Sequence, residues 1–377
     1  MKRKVFVLLV SAAVITSLVL AGCAPEVTPP AAPTEEQAPA EEEEASPAAP
    51  AEEVFNWKVQ GYVPAGLLFH DFLEHLAASM EMVTDGRIVI DPLPSGTVVD
   101  TNKALDAVQS GVLDGVYDYT AMWIGKDKVA PLFCSTPGFF SPRDRMMWEM
   151  YGGGKELRQE FYDHIGVTCH AIAAGCTDAE IFMWSNTPLR TIDDFEGKKL
   201  RMMPLMGSVL DANGISTVFL PGSEIIPALE RGVLDAAEYS VPAFDIKAGY
   251  PDVCQYYHFP GIHQPSSMPE LVLNRDNWNA LPDDLKAKVE YVCRREMMWS
   301  WNYSDHMSVL ALGEFDKMGR EEVIMEPETV ATLLEWADEF LDNEAEKDEF
   351  FAKVWNSQQD FRDVYYPYAH AMHFSHE

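Results

Sequence analysis

The composition of residues 24–53 constrains the fold most, because this stretch cannot join a hydrophobic core. It reads "APEVTPPAAPTEEQAPAEEEEASPAAPAEE" and contains hardly any large apolar side chain. Such a segment buries too little surface to offset its conformational entropy, so it is predicted to be a disordered tether. Folding is therefore assigned to residues 54–377, a length that favours two lobes over one simple core.

The first 22 residues have the pattern of a cleaved export signal. Lys2, Arg3 and Lys4 precede an apolar run that is short for a membrane span, and "LAGC" follows at residues 20–23. A small-residue cleavage site followed by Cys23 resembles a bacterial lipoprotein signal; the alternative is an ordinary signal peptide with a coincidental cysteine. We expect Cys23 to be lipidated, which anchors the protein outside the cytoplasm, in the periplasm or on the outer face of the cell membrane.

The net charge excludes one class of partner. The chain carries a formal charge of −32, which becomes −26 without the three basic residues of the signal and the nine glutamates up to residue 53. A surface this acidic argues against nucleic acid binding. It is compatible with an anionic ligand, because a local site can be positive inside a negative protein.

The remaining cysteines do not have metal-knuckle spacing. They stand at positions 134, 169, 176, 254 and 293, and no pair is spaced as CxxC. Cys169 and Cys176 are close enough in sequence to form a disulfide. The interpretation we favour is that most of the five are small buried core residues.

Hydrophobic periodicity predicts an α/β fold with a helical C-terminal region. The stretch 54–94 reads as strand, helix and strand, the first containing "VFNWKVQGYVP" and the last "RIVIDPLP". From residue 277 onward, long amphipathic runs rich in Trp, Tyr and Phe predict helices.

An internal echo predicts two similar walls of one cleft. "ALDAVQSGVLDGVYDYT" begins at residue 104 and "ALERGVLDAAEYSVP" at residue 228, each with a helix, a Gly stop, "VLD" and a short strand. Ligands of open α/β sheets bind beyond the carboxyl ends of strands. We therefore expect "YDYT" and "EYS" to face each other across a ligand.

The segment "TIDDFEGKKLRMMP" places one arginine near a strand end. Thr191 or Asp193 can cap a helical turn, Gly197 can end it, and "KKLRMM" can begin a strand that contains Arg201. One interpretation is an ion pair between Arg201 and a protein carboxylate. The other is a guanidinium that grips an anionic ligand, since its planar fork matches a carboxylate and stays charged when desolvated.

Six motifs in the same order carry a family resemblance: the "LAGC" signal, "ALDAVQSGVLD", "YTAMWIGKD", "YGGGKEL", "LRTIDDFEGKKLRMMP" and "PALERGVLDAAEYSVPAFD". Together they resemble the DctP-type extracytoplasmic solute-binding proteins of TRAP transporters. The chain is more closely similar to the branch that binds 2-oxo acids and lactate, where "AAEW-x-GP" and "YYYPG" stand in place of "AAEYSVP" and "YYHFPG". The resemblance implies a two-lobed periplasmic-binding-protein-like fold of the TRAP type, in which Arg201 pairs with the ligand carboxylate.

The resemblance also implies a metal ion held by oxygens from three segments. The positions fall on Glu180, on Glu238 together with the main-chain carbonyl of Tyr239, and on Gln264. In the branch, Gln stands at the first position and Glu at the third, so these two are exchanged here. Hard oxygen ligands predict Ca²⁺ or Na⁺; the alternative is that Glu180 and Gln264 are only polar lining.

A second departure from the branch concerns the wall of the ligand site. A run of tyrosines in the branch is replaced by "TAMW" at residues 120–123. Thr120 keeps a hydroxyl, whereas Met122 and Trp123 make the wall more apolar, so we expect a ligand with a hydrophobic side chain, larger than pyruvate. Thr177 and Tyr239 are also predicted to contact the ligand.

The predicted organisation and partners follow from the resemblance. Residues 1–22 are the signal and 23–53 the lipidated tether. The first lobe comprises roughly 54–176 with part of 265–310, and the second roughly 177–264 with the C-terminal helices. The expected role is capture of a small monocarboxylate for a TRAP permease, with a homodimer through the C-terminal helices left open. The alternatives are a ligand-presenting sensor, or a lyase or hydrolase using Glu180 and Glu238, although no GxSxG, HExxH or P-loop motif is present.

Overall fold

The computed structural model describes residues 53–372, and the predicted signal peptide, Cys23 and almost all of the tether lie outside these residues. The described residues belong to one compact unit. Within the described range, no helix is long and apolar enough to cross a membrane.

The secondary structure comprises eleven strands and twelve α-helices in the described residues. The strands are β1 Phe55–Gly61, β2 Ile88–Leu93, β3 Gly115–Asp118, β4 Cys169–Ala173, β5 Met183–Ser185, β6 Leu200–Arg201, β7 Thr217–Val218, β8 Ala236–Ala237, β9 Tyr256–Phe259, β10 Glu270–Asn274 and β11 Glu321–Ile324. The helices are α1 Leu68–Val83, α2 Ala104–Gln109, α3 Pro142–Tyr151, α4 Gly154–His164, α5 Pro204–Ala212, α6 Gly222–Glu230, α7 Pro242–Ala248, α8 Tyr250–Val253, α9 Arg275–Ala280, α10 Asp283–Lys317, α11 Pro327–Ala345 and α12 Glu349–Met372.

The first lobe is built on a five-stranded sheet with the order β2-β1-β3-β10-β4. The predicted strand–helix–strand unit is confirmed, since β1 pairs in parallel with β2 across α1, and β3 extends the parallel part. Strand β10 returns from the second lobe and pairs antiparallel with both β3 and β4. The carboxyl end of β3 leads into residues that line the ligand cavity described below.

The second lobe is built on a six-stranded sheet with the order β11-β9-β5-β8-β6-β7. The short strand β6 lies between β8 and β7 and is parallel to both. Because β6 is an interior strand, Arg201 at its end is buried, with 3% of its surface exposed. A charged side chain in such a position requires partners.

One long helix connects the two lobes. The first half of α10 contributes Leu285, Val289 and Val292 to the core of the first lobe. Its second half contributes Ala311 and Phe315 to a core of the second lobe. The predicted long amphipathic run is thus confirmed as a single helix of 35 residues that belongs to both lobes.

The assignment of the C-terminal helices to the second lobe is wrong for α12. Phe351, Val354 and Trp355 of this helix are buried in the core of the first lobe. Helix α11 crosses between the lobes, because Leu333 packs in a second-lobe core while Leu341 packs in the first. The reason is that the aromatic face of α12 finds its complement among the aromatic residues of the first lobe, with Trp355 against Phe139 at 4.7 Å between ring centroids.

All five cysteines of the described residues are free and buried. Cys169 and Cys176 do not pair, and the interpretation of the cysteines as core residues is confirmed.

Candidate ligand and metal site

A cavity of about 490 Å³ lies where the two echoed units end. Tyr119 follows β3 and Tyr239 follows β8, and both side chains line this cavity, as the echo predicts. The preceding helices α2 and α6 end at Gln109 and Glu230, and each is followed two residues later by a glycine. Gly111 and Gly232 have φ angles of 75° and 67°, the left-handed conformation that glycine adopts without strain. The cavity volume lies within the range typical of small-molecule sites.

The cavity is mostly apolar, with a few polar groups in its lining. The apolar and aromatic lining comes from both lobes, namely Tyr62, Val63, Phe69, Tyr119, Met122, Met203, Phe219, Pro221, Gly222, Tyr239 and Phe244. The polar lining consists of Thr101, Asn102, Glu180, Arg201, Ser240, Gln264 and Ser267. A ligand with one charged end and one apolar end matches such a surface.

Arg201 is held at the end of β6 by partners on one side of its guanidinium. Its Nη1 donates to Oε1 of Glu238 at 2.5 Å and to the Glu238 carbonyl at 3.1 Å, and its Nε donates to the Leu220 carbonyl at 3.3 Å. Its Nη2 makes one weak contact, with Sδ of Met203 at 3.9 Å. The ion pair with a protein carboxylate is therefore present, and Arg201 also lines the cavity.

The local sequence fixes Arg201 as predicted. Thr191 and Asp194 form a capping box around the turn Ile192–Phe195, and Gly197 has a φ of 71°. The chain then enters β6 directly. The predicted position of Arg201 at the end of a strand is confirmed.

Glu180 lies in the segment that crosses from the first lobe to β5, with 3% of its surface exposed. Its Oε1 accepts a hydrogen bond from the Ser267 hydroxyl at 3.2 Å, whereas its Oε2 has no hydrogen-bond partner among the described residues. Burial raises the pKa of Glu180 to about 8, although Ser267 and Arg201 act in the opposite direction. A nearby cation would favour the ionised form of this carboxyl.

Glu238 comes directly after β8 and is fully buried. Its Oε1 forms an ion pair with Arg201. Its Oε2 is also buried and has no hydrogen-bond partner among the described residues. Burial raises the pKa of Glu238, and the Arg201 charge opposes this rise. Glu238 is not among the residues that line the cavity.

The loop after β9 passes very close to Glu180 and places Gln264 next to it. The Gln264 carbonyl accepts a hydrogen bond from the Glu180 amide at 3.1 Å, and the Gln264 side chain lines the cavity. Gly261 in this loop has no space for a side chain, since a Cβ would collide with the Glu180 carbonyl. The close passage of these two segments brings together two positions that are 84 residues apart.

His263 is a member of the cluster that sequence reasoning missed. Its imidazole is buried, and its Nε2 lies 3.7 Å from Oε2 of Glu180. One ligand atom each from Glu180, Glu238 and His263 lies within 4.8 Å of the other two. The signal in the sequence was its position directly before Gln264, which was itself a predicted ligand.

The residues fit a cation. Four buried polar atoms of this cluster lack a hydrogen-bond partner in the described part of the chain, namely Oε2 of Glu180, Oε2 of Glu238 and both ring nitrogens of His263. Buried polar atoms without partners are rare in proteins, and several of them at one point are typical of a place where an ion binds. The two carboxylate oxygens and the unprotonated ring nitrogen of His263 can donate electron pairs to a metal.

Three residues predicted to contact the ligand do not line this cavity, and their side chains have other partners. The Thr120 hydroxyl donates to Glu270 at 2.6 Å, the Trp123 Nε1 donates to Asp118 at 2.6 Å, and the Thr177 hydroxyl donates to the Asp178 carbonyl at 3.2 Å. They are absent from the lining described above. The other three predicted contacts, Arg201, Met122 and Tyr239, do line the cavity, and Met122 is 42% exposed.

Comparison with known proteins identifies the family. Residues 60–348 match the model of DctP, described as bacterial extracellular solute-binding protein, family 7. The chain is 27% identical over 321 residues to the monocarboxylate 2-oxoacid-binding periplasmic protein all3028 of Nostoc sp., with 85% of this chain and 88% of that protein covered.

Solved structures show the same fold. A TRAP transporter solute-binding protein from Bordetella bronchiseptica, with copurified calcium and picolinate, matches with a TM-score of 0.79 and 24% identity, covering 85% of this chain and 95% of that one. A TRAP periplasmic solute-binding protein from Pseudoalteromonas atlantica, with bound sodium and pyruvate, matches with a TM-score of 0.77 and 23% identity, covering 86% and 100%. Both similarities confirm the predicted two-lobed α/β fold.

Proposed function

The chain belongs to the DctP family of bacterial extracellular solute-binding proteins, and we propose that it captures a small monocarboxylate of the 2-oxo acid or lactate type. The observation that carries this proposal is Arg201, a buried arginine that lines the cavity and whose Nη2 makes only a weak contact with Met203, beside Glu180, a second lining residue that has an unpaired carboxylate oxygen. The family and the similar structures are solute-binding proteins of transporters, so the lyase or hydrolase alternative is set aside.

Arg201 is suited to bind the ligand carboxylate because it is already oriented. Glu238 and the Leu220 carbonyl fix one edge of the guanidinium, and the rings of Phe219 and Tyr239 lie 5.1 Å and 5.6 Å from its central carbon. An oriented side chain loses little further entropy on binding. A charge-assisted hydrogen bond to a carboxylate in this buried position is worth about 1.5–3 kcal/mol.

A bound cation would complete the site. Glu180, Glu238, Gln264 and the main-chain carbonyl of Tyr239 are the proposed ligands, and the similar structures hold calcium or sodium. When bound, the ion would neutralise the two buried carboxylates and provide a second positive charge for the ligand. The chain's own residues orient the carboxylate and exclude water from it.

The apolar wall favours a ligand with a hydrophobic side chain. Tyr62, Phe69, Met122, Phe219 and Phe244 belong to the lining, and the cavity volume of about 490 Å³ exceeds what pyruvate fills. Picolinate in the similar Bordetella bronchiseptica protein is likewise a carboxylate with a ring. We therefore propose a 2-oxo or 2-hydroxy acid larger than pyruvate.

Delivery to a membrane permease completes the proposed role. The lipid anchor at Cys23 and the tether up to residue 53 would keep the folded part at the membrane where TRAP subunits lie. A homodimer through the C-terminal helices stays a prediction. Presentation of the ligand to a receptor would use the same site.

Isothermal titration of the purified protein tests the proposal. Pyruvate, lactate, phenylpyruvate and succinate are titrated into the metal-loaded protein, and into the protein after chelation. The Arg201→Lys variant keeps a positive charge for Glu238 but loses the planar fork. The exposed Arg190→Lys on the same lobe is the matched control.

We expect the 2-oxo monocarboxylates to bind, with phenylpyruvate tighter than pyruvate. Arg201→Lys should weaken binding by about 10-fold to 100-fold, the equivalent of one lost charge-assisted bond, while Arg190→Lys should match the original protein. Binding that is insensitive to Arg201→Lys, or seen with succinate alone, contradicts the proposal.

A further inference from the structure

We propose that His263 is a nitrogen ligand of the cation site, so that this protein binds a divalent transition ion such as Mn²⁺ or Co²⁺ more tightly than Ca²⁺. This inference rests on the proposed function for the existence of the cation site. It goes further in adding a ligand outside the predicted oxygen set, and in naming the class of ion that follows from it.

Buried polar atoms without hydrogen-bond partners converge at one point in the second lobe. Glu180, Glu238 and His263 come from three separate segments, and each presents a buried polar atom that no described residue satisfies. Leaving a buried polar atom unpaired costs about 1–3 kcal/mol in general. Three such residues at one point indicate that an additional group belongs there.

The separations match those of ligands around one ion. Nε2 of His263 and Oε2 of Glu180 are 3.7 Å apart, and the three ligand atoms lie within 4.8 Å of one another. Two atoms that each lie about 2.1 Å from an ion at ordinary coordination angles are about 3–4 Å apart. A small adjustment of side chains therefore suffices to share an ion.

Packing alone does not account for this histidine. The ring stands edge to face with Phe182, at 5.4 Å between centroids and 82° between planes. An apolar ring would make this contact without burying two nitrogens. For packing alone, a buried imidazole costs more free energy than an apolar ring would, because its nitrogens lose their hydrogen bonds to water. For metal coordination the imidazole is suitable.

Coordination by His263 leaves the ligand cavity open. His263 is not among the residues that line the main cavity; it borders a small void of about 10 Å³, whose lining shares Tyr119, Met203 and Gln264 with that of the cavity. Glu180 and Gln264 line the main cavity itself. The imidazole therefore occupies none of the lining that a ligand carboxylate would contact.

The donor set determines the preferred ion. Ca²⁺ and Na⁺ take oxygen ligands, whereas the affinity of a mixed nitrogen and oxygen site for first-row divalent ions rises from Mn²⁺, the weakest of the series, through Co²⁺ to the later ions. One nitrogen with two carboxylates therefore shifts the preference toward those ions.

Metal binding by itself tests this inference, in the absence of any carboxylate ligand. Mn²⁺ alone and Ca²⁺ alone are titrated calorimetrically into the chelated, purified protein, its His263→Gln variant and a matched His170→Gln control. His170 also has a buried nitrogen without a partner in the described residues, but it stacks on Trp278 in the first lobe. Electron spin echo spectroscopy of the Mn²⁺ complex then reports whether nitrogen is bound directly.

We expect Mn²⁺ to bind tighter than Ca²⁺, with a directly bound nitrogen in the spectrum. His263→Gln should weaken Mn²⁺ by about 10-fold or more and remove the nitrogen signal, while Ca²⁺ changes by less than about threefold and His170→Gln behaves as the original protein. Ca²⁺ binding tighter than Mn²⁺, or an unchanged nitrogen signal in His263→Gln, overturns the inference. Loss of carboxylate binding in the Arg201→Lys titration is a separate result that concerns the proposed function.

Discussion

Two buried arginines in this protein have opposite surroundings. Arg158, in the first lobe, donates from Nε and Nη2 to both oxygens of Glu149 at 3.0 Å, and from Nη1 to Glu270 at 2.7 Å. Its Nη2 also donates to the Phe133 carbonyl at 2.9 Å. Thr120 and Tyr162 donate to the remaining oxygen of Glu270, so every carboxylate oxygen in this network has a partner.

Arg201, in the second lobe, is paired on one side alone. It binds one oxygen of Glu238, while the other oxygen of Glu238, one of Glu180 and both nitrogens of His263 stay without hydrogen bonds in the described chain. The two regions have the same residue types and similar burial. They differ in whether the polar atoms are satisfied.

This difference separates a structural network from a site. A fully satisfied buried network holds its segments in one arrangement and has nothing left to offer a ligand. Although burial lowers the pKa of Arg158, its two carboxylate partners more than reverse this, and the net pKa lies above the usual value. The unsatisfied atoms around Arg201 and Glu180 are available to an ion and an anion.

The largest expected effect comes from removing each arginine in turn. Arg158→Met leaves two buried carboxylates without their cation, and should lower the free energy of unfolding by about 3–5 kcal/mol. Arg201→Met leaves one buried carboxylate, that of Glu238, without its cation. Burial already raises the pKa of Glu238, so this carboxyl can take up a proton. We therefore expect a loss smaller by about 2 kcal/mol, measured by urea unfolding of the chelated protein. Equal losses in the two variants would remove the distinction drawn between the regions.

Substitution of Glu180 is expected to have an intermediate effect on stability, and this effect depends on pH. Its folded pKa of about 8 lies above its ordinary value of 4.5, so the folded protein holds a proton that the unfolded chain has released between these values. The metal-free protein should therefore lose stability from this group as pH rises from about 5 to 8. Glu180→Gln, which keeps an acceptor for Ser267, should gain on the order of 2 kcal/mol relative to the original protein across that range.

Thermal unfolding at pH 5 and pH 8, after chelation, measures this difference. Glu224→Gln, the same charge change on the surface of α6, serves as the control and should show no such gain. If Glu180→Gln follows the original protein at both pH values, the carboxyl is not desolvated as described. Adding a cation should reduce the gain, because an ionised Glu180 then has a partner.

The smallest expected effect concerns the apolar wall. Met122 lines the cavity and is 42% exposed, so a ligand side chain would cover it. Met122→Ala should weaken phenylpyruvate by about fivefold, the equivalent of about 1 kcal/mol of apolar contact, and leave pyruvate nearly unchanged. Met150→Ala, an exposed methionine on α3, is the control. A parallel loss for both acids would place Met122 against the carboxylate rather than the side chain.

The sequence predicted the parts of the site that depend on local pattern. The two helix–strand echoes, each with a left-handed glycine, placed Tyr119 and Tyr239 on one cavity. The capped turn at Thr191 and the glycine at position 197 placed Arg201 at a strand end. The family resemblance added Glu180, Glu238 and Gln264, which the structure brings together.

The departures from prediction come from side-chain partners that the motifs did not specify, some near in sequence and some distant. Thr120 and Trp123 follow β3 as predicted, but the Thr120 hydroxyl donates to Glu270, 150 residues away, and Trp123 Nε1 donates to Asp118, five residues away. The sequence of α12 predicts an aromatic face but does not specify the lobe against which this face packs. In the structure it packs in the core of the first lobe. His263 became a candidate when its nitrogens proved to be buried without partners among the described residues.

The sequence by itself determined the α/β class, the echoed units, the position of Arg201 and the acidic charge, because periodicity, turn residues and composition act within about ten residues of chain. Tertiary structure alone decided which buried polar atoms are satisfied. Satisfaction depends on contacts between segments as distant as Glu180 and Gln264, where the close passage at Gly261 sets the geometry. Hydrogen bonds and coordination require atoms within a few ångströms, and no local pattern specifies which distant atom arrives there.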